Sequence, residues 1–205
     1  VKYKVPRLIY ASSMTNYGQI QTLPIPETHP CVPDSYYGIT KYSAELYVHA
    51  TAGRPDLDFA FHVTSFRMYN VFGPRQALNN PYQGVLGIFI GNLLRNEPIT
   101  IYGDGEQSRD FIYVADVVRA WAGALENPSS FGEIMNIGSG RRFTINQLAD
   151  IVLKAFNQSR STWEVQYLPG RPGEQRQVEA DIRLAASVLG WRPAVPFEQG
   201  LEETL

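Results

Sequence analysis

One cysteine, Cys31, stands in 205 residues. A lone thiol excludes an internal disulfide and a cysteine-built metal site, and it fits a reducing, cytoplasmic setting. Lysine is almost as scarce, with four against fourteen arginines. The formal net charge of −2 leaves no broad basic field, so no nucleic-acid partner is expected and any anionic ligand must be held by individual arginines. The longest apolar runs, such as residues 85–90, fall far short of the ~20 residues that span a bilayer, so no membrane partner is expected. The opening Val1-Lys-Tyr-Lys-Val5 lacks the apolar core of a signal peptide. No tract is of low complexity, and no period of 20–50 residues repeats. His29, His49 and His62 share no ligand spacing, so no metal is expected.

What the chain does have is an apolar content of 44%, enough for a sizeable core, broken by seventeen glycines and fourteen prolines. Leu8-Ile-Tyr-Ala11 reads as a buried strand, residues 19–33 as a surface loop, and residues 37–51 as a helix capped by Asp34 or Ser35 and stopped by Gly53. Further strands are expected at residues 59–66, 99–102, 109–114, 134–137 and 163–168. Helices are expected at residues 85–95, at 117–126 capped by Asp116, from Thr144 to about Phe156, and at 182–189 capped by Asp181 and ended by Gly190. Strands alternate with helices, the α/β pattern.

Tyr37-Gly-Ile-Thr-Lys41 sets a phenol and an ammonium one helical turn apart on one face. A phenol titrates near ~10 and is a poor base at neutral pH; a neighbouring positive charge stabilises the phenolate and lets it accept a proton from a hydroxyl. With twelve tyrosines available, the spacing alone is an easy accident, and its plain reading is a surface pair. Its surroundings change that reading. Ala-Ser12-Ser13-Met-Thr-Asn-Tyr17-Gly18 follows a strand and precedes the helix; then come Phe66-Arg-Met-Tyr-Asn70-Val-Phe-Gly73-Pro-Arg75, Gly103-Asp-Gly-Glu-Gln-Ser-Arg109-Asp-Phe111, Asn136-Ile-Gly-Ser-Gly140 and Arg171-Pro-Gly-Glu174.

In this order and spacing the motifs resemble the extended short-chain dehydrogenase/reductase family, in its NAD-dependent epimerase/dehydratase branch, from about Arg7 to the C-terminus. The resemblance implies an α/β fold: the C-terminal half of a Rossmann-like parallel sheet, in residues 1–73 and 112–138, with a smaller mixed α/β substrate-binding domain in residues 74–111 and 139–205. It implies Ser13, Tyr37 and Lys41 as catalytic residues, with Ser12, Tyr37, Lys41 and Met68 toward NAD. Toward a nucleotide-sugar substrate it implies Ser13, Asn70, the backbone at Gly84 and Val85, Tyr102 beside the base, Arg109 and Arg171 on the diphosphate, and Glu174 on the ribose. Guanidinium forks suit the diphosphate role. The resemblance also implies a homo-oligomer, such as a dimer through the helix bearing Tyr37.

The family's glycine-rich phosphate loop and its NAD-selecting acid would precede Ser13, and nothing in these residues corresponds to them; Gly138-Ser-Gly140 and Gly103-Asp-Gly105 each lack a third glycine. The expectation is therefore an incomplete chain that binds NAD poorly by itself. Dehydratases of the branch carry an acid pair after the catalytic residue, and decarboxylases a glutamate in that stretch; here Met14-Thr15 follows Ser13. A UDP-hexose 4-epimerase working through a 4-keto sugar is favoured over a dehydratase, a decarboxylase or a non-catalytic nucleotide-sugar binding module. Val178, four residues past Glu174, matches a position that gates sugar bulk, and its small size suggests room for an N-acetylated hexosamine.

Overall fold

The computed structural model describes residues 2–78, 84–170 and 173–205. Its elements run β1 (Arg7–Ser13), a short 3-10 turn (Met14–Tyr17), α1 (Tyr36–Ala52), β2 (His62–Met68), β3 (Asn70–Phe72), α2 (Val85–Leu94), β4 (Ile99–Tyr102), β5 (Ser108–Tyr113), α3 (Val114–Leu125), β6 (Ile134–Ile137), β7 (Arg142–Thr144), α4 (Ile145–Ala155), β8 (Val165–Leu168), α5 (Arg183–Leu189) and α6 (Phe197–Thr204).

Three strands form the first sheet in the order β1-β2-β6, all parallel. Its register sets Ser13 beside Met68 and Met68 beside Ile137, so the candidate catalytic serine ends a row at the carboxyl edge, where open α/β sheets receive ligands. The alternation of β2 shows what covers each face. Phe66 packs toward Trp121 of α3, within a cluster that includes Ile112, Met135, Ile137 and Trp191. Ser65 and Arg67 turn the other way and bond to His49 and Glu45 of α1. One face is apolar and the other is held by polar contacts.

The remaining strands build the second part. β3 runs parallel to β5, β5 antiparallel to β7, and β4 parallel to β8. Around them α2 and α4 bury Phe89, Ile90, Leu148 and Val152 with Ile99, Ile101 and Phe143 in the largest core. A third, small cluster of Tyr17, Ile25, Tyr69, Val178 and Ala180 joins the two parts. Among the described residues no helix is long and apolar enough to cross a membrane.

Local signals explain most boundaries. Ser35 Oγ accepts from Gly38 N at 3.1 Å and starts α1, and Gly53 ends it. Thr144 and Gln147 form a capping box on α4. Gly190 closes α5 in the left-handed region at φ 63°.

Three expectations need correction, and one helix lies outside the expected set. Asp116 does not cap its helix: α3 begins at Val114, and Asp116, buried in its first turn, accepts from the backbone N–H of Ala194 and Val195 at 3.1 Å each and pairs with Arg119. Asp181 is not the N-cap of α5, which is Ile182, although its Oδ1 accepts from Arg183 N at 3.0 Å. The loop at residues 19–33 is not wholly at the surface, because Ile25 is buried and pairs in parallel with Ala180. The helix not expected is α6, whose Phe197 fills a ring cluster with Phe72, Phe111 and Phe143.

Candidate functional site

The first half of the site is built where β1 ends against the start of α1. Ser13 leaves the strand into the 3-10 turn, and its hydroxyl accepts from Thr15 N at 3.3 Å and Thr15 Oγ1 at 2.9 Å. The turn is fixed by Tyr17, whose phenol donates to Asn136 Oδ1 at 2.7 Å from β6. Burial raises the Tyr17 phenol far above its ordinary pKa, so it serves as a neutral strut. Gly38 lets α1 sit against this turn: a Cβ there would lie 2.6 Å from Thr15 O.

Tyr37, in the first turn of α1, is 56% exposed at the lip of this corner. Lys41 lies one turn on. Its ammonium donates to Ala11 O of β1 at 3.0 Å and stands 5.7 Å from the ring centroids of both Tyr37 and Tyr10. That bond uses one of the three donors an ammonium offers, so Lys41 retains capacity for ribose hydroxyls. Ser12 is a different case from Ser13. Its side chain is buried beneath α1 and donates to Glu45 Oε2 at 2.6 Å, so its hydroxyl is engaged within the protein.

The second half of the site gathers on β5 and the segment that crosses it. Arg109 Nη1 donates to the carbonyls of Ser108 and Gln175, and Nη2 to Glu174 Oε1, each at 2.8 Å. Burial lowers the Arg109 pKa, partly opposed by the Glu174 charge. Asn70 pairs with Phe111 on β5, and its Nδ2 donates to Asp110 O at 2.8 Å. Asp110 itself is buried. Its Oδ1 accepts from Ser139 N and Oγ at 2.7 Å, and its Oδ2 from Gly140 N and Ala180 N at 3.0 Å. Burial outweighs these bonds and pushes its carboxyl up to about 6.

Three buried polar atoms beside Arg109 have no hydrogen-bond partner: Gln107 Oε1, Ser108 Oγ and Gln175 Oε1. Unmet buried polar atoms in this neighbourhood suit ordered water.

The two halves are joined through the chain itself. Met68 leads directly into Tyr69 and Asn70, and Gln175 Nε2 donates to Gly18 O beyond the Ser13 turn. Farther out, Tyr102 ends β4, half-buried, its carbonyl accepting from Gln107 Nε2 at 2.7 Å. Gly84 caps α2 and Val85 opens it; among the described residues a Cβ on Gly84 would meet nothing within 4 Å. Arg171 lies outside the described residues. Val178 is only 1% exposed, packed in the small cluster with Tyr17 and Tyr69, so the structure puts no open space beside it for a larger sugar.

Glu45 and Arg67 are not among the residues expected from sequence. Glu45 stands one turn past Lys41, and Arg67 is buried near the end of β2; an arginine in such a strand is the signal that a partner carboxylate must be near.

The profile of the NAD dependent epimerase/dehydratase family matches residues 1–138. The chain belongs to this family. A Methanocaldococcus jannaschii protein provisionally assigned as UDP-glucose 4-epimerase is 36% identical over all of this chain and 63% of its own length. A dTDP-glucose 4,6-dehydratase of Actinoplanes is 31% identical over all of this chain and 61% of its own length. The crystal structure of UDP-glucose 4-epimerase from Thermotoga maritima, with UDP-glucose, superposes with a TM-score of 0.89 at 38% identity, covering 99% of this chain and 63% of that one. The chain thus spans less than two thirds of the relatives it matches. Family membership makes the α/β architecture that of the Rossmann-type epimerases, and the branch contains both epimerases and dehydratases.

Proposed function

We propose that the protein is an NAD-dependent nucleotide-sugar 4-epimerase of the UDP-hexose type. The observation that carries the reading is the corner where Lys41, anchored on Ala11 O, holds its ammonium 5.7 Å from the Tyr37 ring at the end of the strand that delivers Ser13. Tyr37 takes the proton of the sugar 4-hydroxyl, Ser13 bridges that hydroxyl to the phenol, and Lys41 stabilises the phenolate and holds the nicotinamide ribose. NAD, held in part by Lys41, would supply the acceptor and donor of hydride for the sugar carbon. Arg109 and Arg171 grip the diphosphate, Asn70 supports it, Glu174 meets the ribose and Tyr102 lies beside the base. Residues 1–73 and 112–138 would form the cofactor side, and residues 74–111 and 139–205 the substrate side.

Epimerisation is favoured over elimination because no carboxylate is at hand beside Ser13 among the described residues. Glu45 is taken up by Arg67 and Ser12, and Glu27 accepts from Asn136 N at 2.9 Å. The similarity to a dTDP-glucose 4,6-dehydratase supports the alternative of a dehydratase. The outer stripe of α1, with Tyr36 at 92% exposure and Ile39, Leu46 and Tyr47 also exposed, supports a homodimer through this helix. The single cysteine and the absence of any long apolar helix among the described residues suit a cytoplasmic enzyme.

The test is to express the product of the whole gene, supply NAD and UDP-glucose, and separate the nucleotide sugars. UDP-galactose is the expected product. A 4-keto-6-deoxy sugar would identify a dehydratase, and no conversion of any UDP-hexose would overturn the reading.

A further inference from the structure

Helix α1 carries the candidate catalytic pair, yet none of its described side chains belongs to any of the three apolar clusters. Its residues buried most fully are Gly38 and Glu45. The sheet face beneath it presents Tyr10, Ser12, Ser65 and Arg67, and the contacts are hydrogen bonds. Tyr10 Oη donates to Lys41 O at 3.1 Å, His49 Nε2 lies 2.8 Å from Ser65 Oγ, and Ser12 and Arg67 both donate to Glu45. Hydrogen bonds weaken steeply when their distance or angle changes, so such contacts restrict both rotation and height. The rotation and height of this helix are therefore set by polar contacts.

Glu45 makes most of them. Tyr37, Lys41 and Glu45 stand at successive turns of one face. The Glu45 side chain is fully buried, and Oε1 accepts from Arg67 Nη2 at 2.6 Å. Oε2 accepts from Arg67 Nε at 3.1 Å, Ser12 Oγ at 2.6 Å and Asn16 Nδ2 at 3.2 Å. Each partner adjoins the site: Ser12 precedes Ser13, Arg67 precedes Met68, and Asn16 lies in the turn that follows Ser13. Arg67 is held in turn by Glu27 O at 3.3 Å and by the face of Tyr17, 4.8 Å from its centroid.

We propose that Glu45 is the positioning residue of the catalytic helix, its carboxylate locking α1 to the ends of β1 and β2 so that Lys41 and Tyr37 meet Ser13. This rests on the reading of Tyr37 and Lys41 as catalytic. Burying an ion pair is a poor way to gain stability, because desolvation consumes most of the attraction and an apolar pair of similar volume often holds as well. What the pair supplies is a single geometry.

The experiment replaces the pair with apolar residues, Glu45→Leu with Arg67→Met, in the product of the whole gene. A control, Leu148→Ala in the separate large core, is chosen to match or exceed the loss in Tm. Two readouts are taken well below both melting temperatures. The first is acetylation of each lysine by an amine-reactive ester, resolved by peptide mass spectrometry; only Lys2, Lys4, Lys41 and Lys154 compete in this chain. The second is kcat and KM for UDP-glucose. In the double variant Lys41 should acetylate at least fivefold faster with Lys154 unchanged, and kcat should fall at least tenfold with KM within twofold. Leu148→Ala should leave both within twofold of wild type. Should the double variant not fold, Glu45→Asp keeps the charge but shortens the reach, and the same direction is expected. Unchanged Lys41 reactivity in the Glu45 variants, or an equal rise in Leu148→Ala, overturns the proposal. Absence of turnover in the unaltered protein would instead remove the proposed function and leave the labelling comparison decisive.

Discussion

Arg109 and Glu174 face each other at 2.8 Å, so the residues that the resemblance gives to the diphosphate and to the ribose are each other's partners. Glu174 thus stands as an internal anion beside Arg109. If the proposed roles hold, a simple anion on Arg109 would have to displace that carboxylate, whereas a nucleotide would offer ribose hydroxyls to receive it.

Glu174→Ala should therefore raise the affinity for inorganic pyrophosphate at least threefold while leaving that for UDP unimproved or weaker, measured by calorimetry. Equal gains for both ligands would show that Glu174 only competes.

Tyr37 is the proton acceptor in the proposed reaction and is 56% exposed, with no structural burden beyond its place in α1. Tyr37→Phe should lower kcat by about 10²–10⁴, the usual worth of general acid–base catalysis, with UDP affinity within twofold. A variant retaining a tenth of wild-type activity would assign the proton transfer elsewhere.

Asp110 predicts a pH dependence of stability. Its carboxyl is pushed up to about 6 by burial, against about 4 in an unfolded chain. The folded state holds that proton more tightly, so this group's contribution is full below about pH 4 and is lost as the pH rises through about 6. Two units correspond to a loss on the order of 3 kcal/mol. Asp110→Asn cannot titrate, and its amide nitrogen would confront the N–H groups that Asp110 now accepts from. It should be less stable than wild type at pH 4, with the gap in urea unfolding free energy narrowing toward pH 6. A gap that stays constant across this range would contradict the assignment.

How much of this was legible depended on the distance over which each residue acts. Ser35, Gly53, Thr144 and Gly190 act on backbone groups within a few residues, and the helices they bound were read nearly in register. The site residues were legible for a related reason: Tyr37 and Lys41 share one turn, and their motif neighbours keep fixed spacings. Asp116 was misread because its partners, Ala194 and Val195, come from the far end of the chain and leave no local trace. Ile25 was assigned to the surface because its apolar partner Ala180 is equally remote. Glu45 looks like any solvated helix glutamate until Arg67 is brought under it by the sheet.

The same remote partnership gives a stability prediction. Asp116 ties the 194–195 backbone to α3, and Trp191 Nε1 donates to its carbonyl at 2.9 Å. Asp116→Ala leaves two backbone N–H groups without their acceptor and should cost about 2–3 kcal/mol in chemical denaturation. Amide exchange should speed up at residues 194 and 195 more than in α4. A uniform change across the chain would argue against a local tether.

Gly38 carries no functional group, yet a methyl group there would overlap Thr15 O at 2.6 Å and crowd Pro33 and Ser35 at 3.1 Å. In a saturation mutagenesis survey this position should be as intolerant as the tyrosine before it, though for want of clearance alone. Counting only intolerant positions would thus enlarge the apparent active centre by one residue that never meets a reactant. Shape and reactivity would separate only when each substituted protein was assayed for ligand binding as well as for turnover.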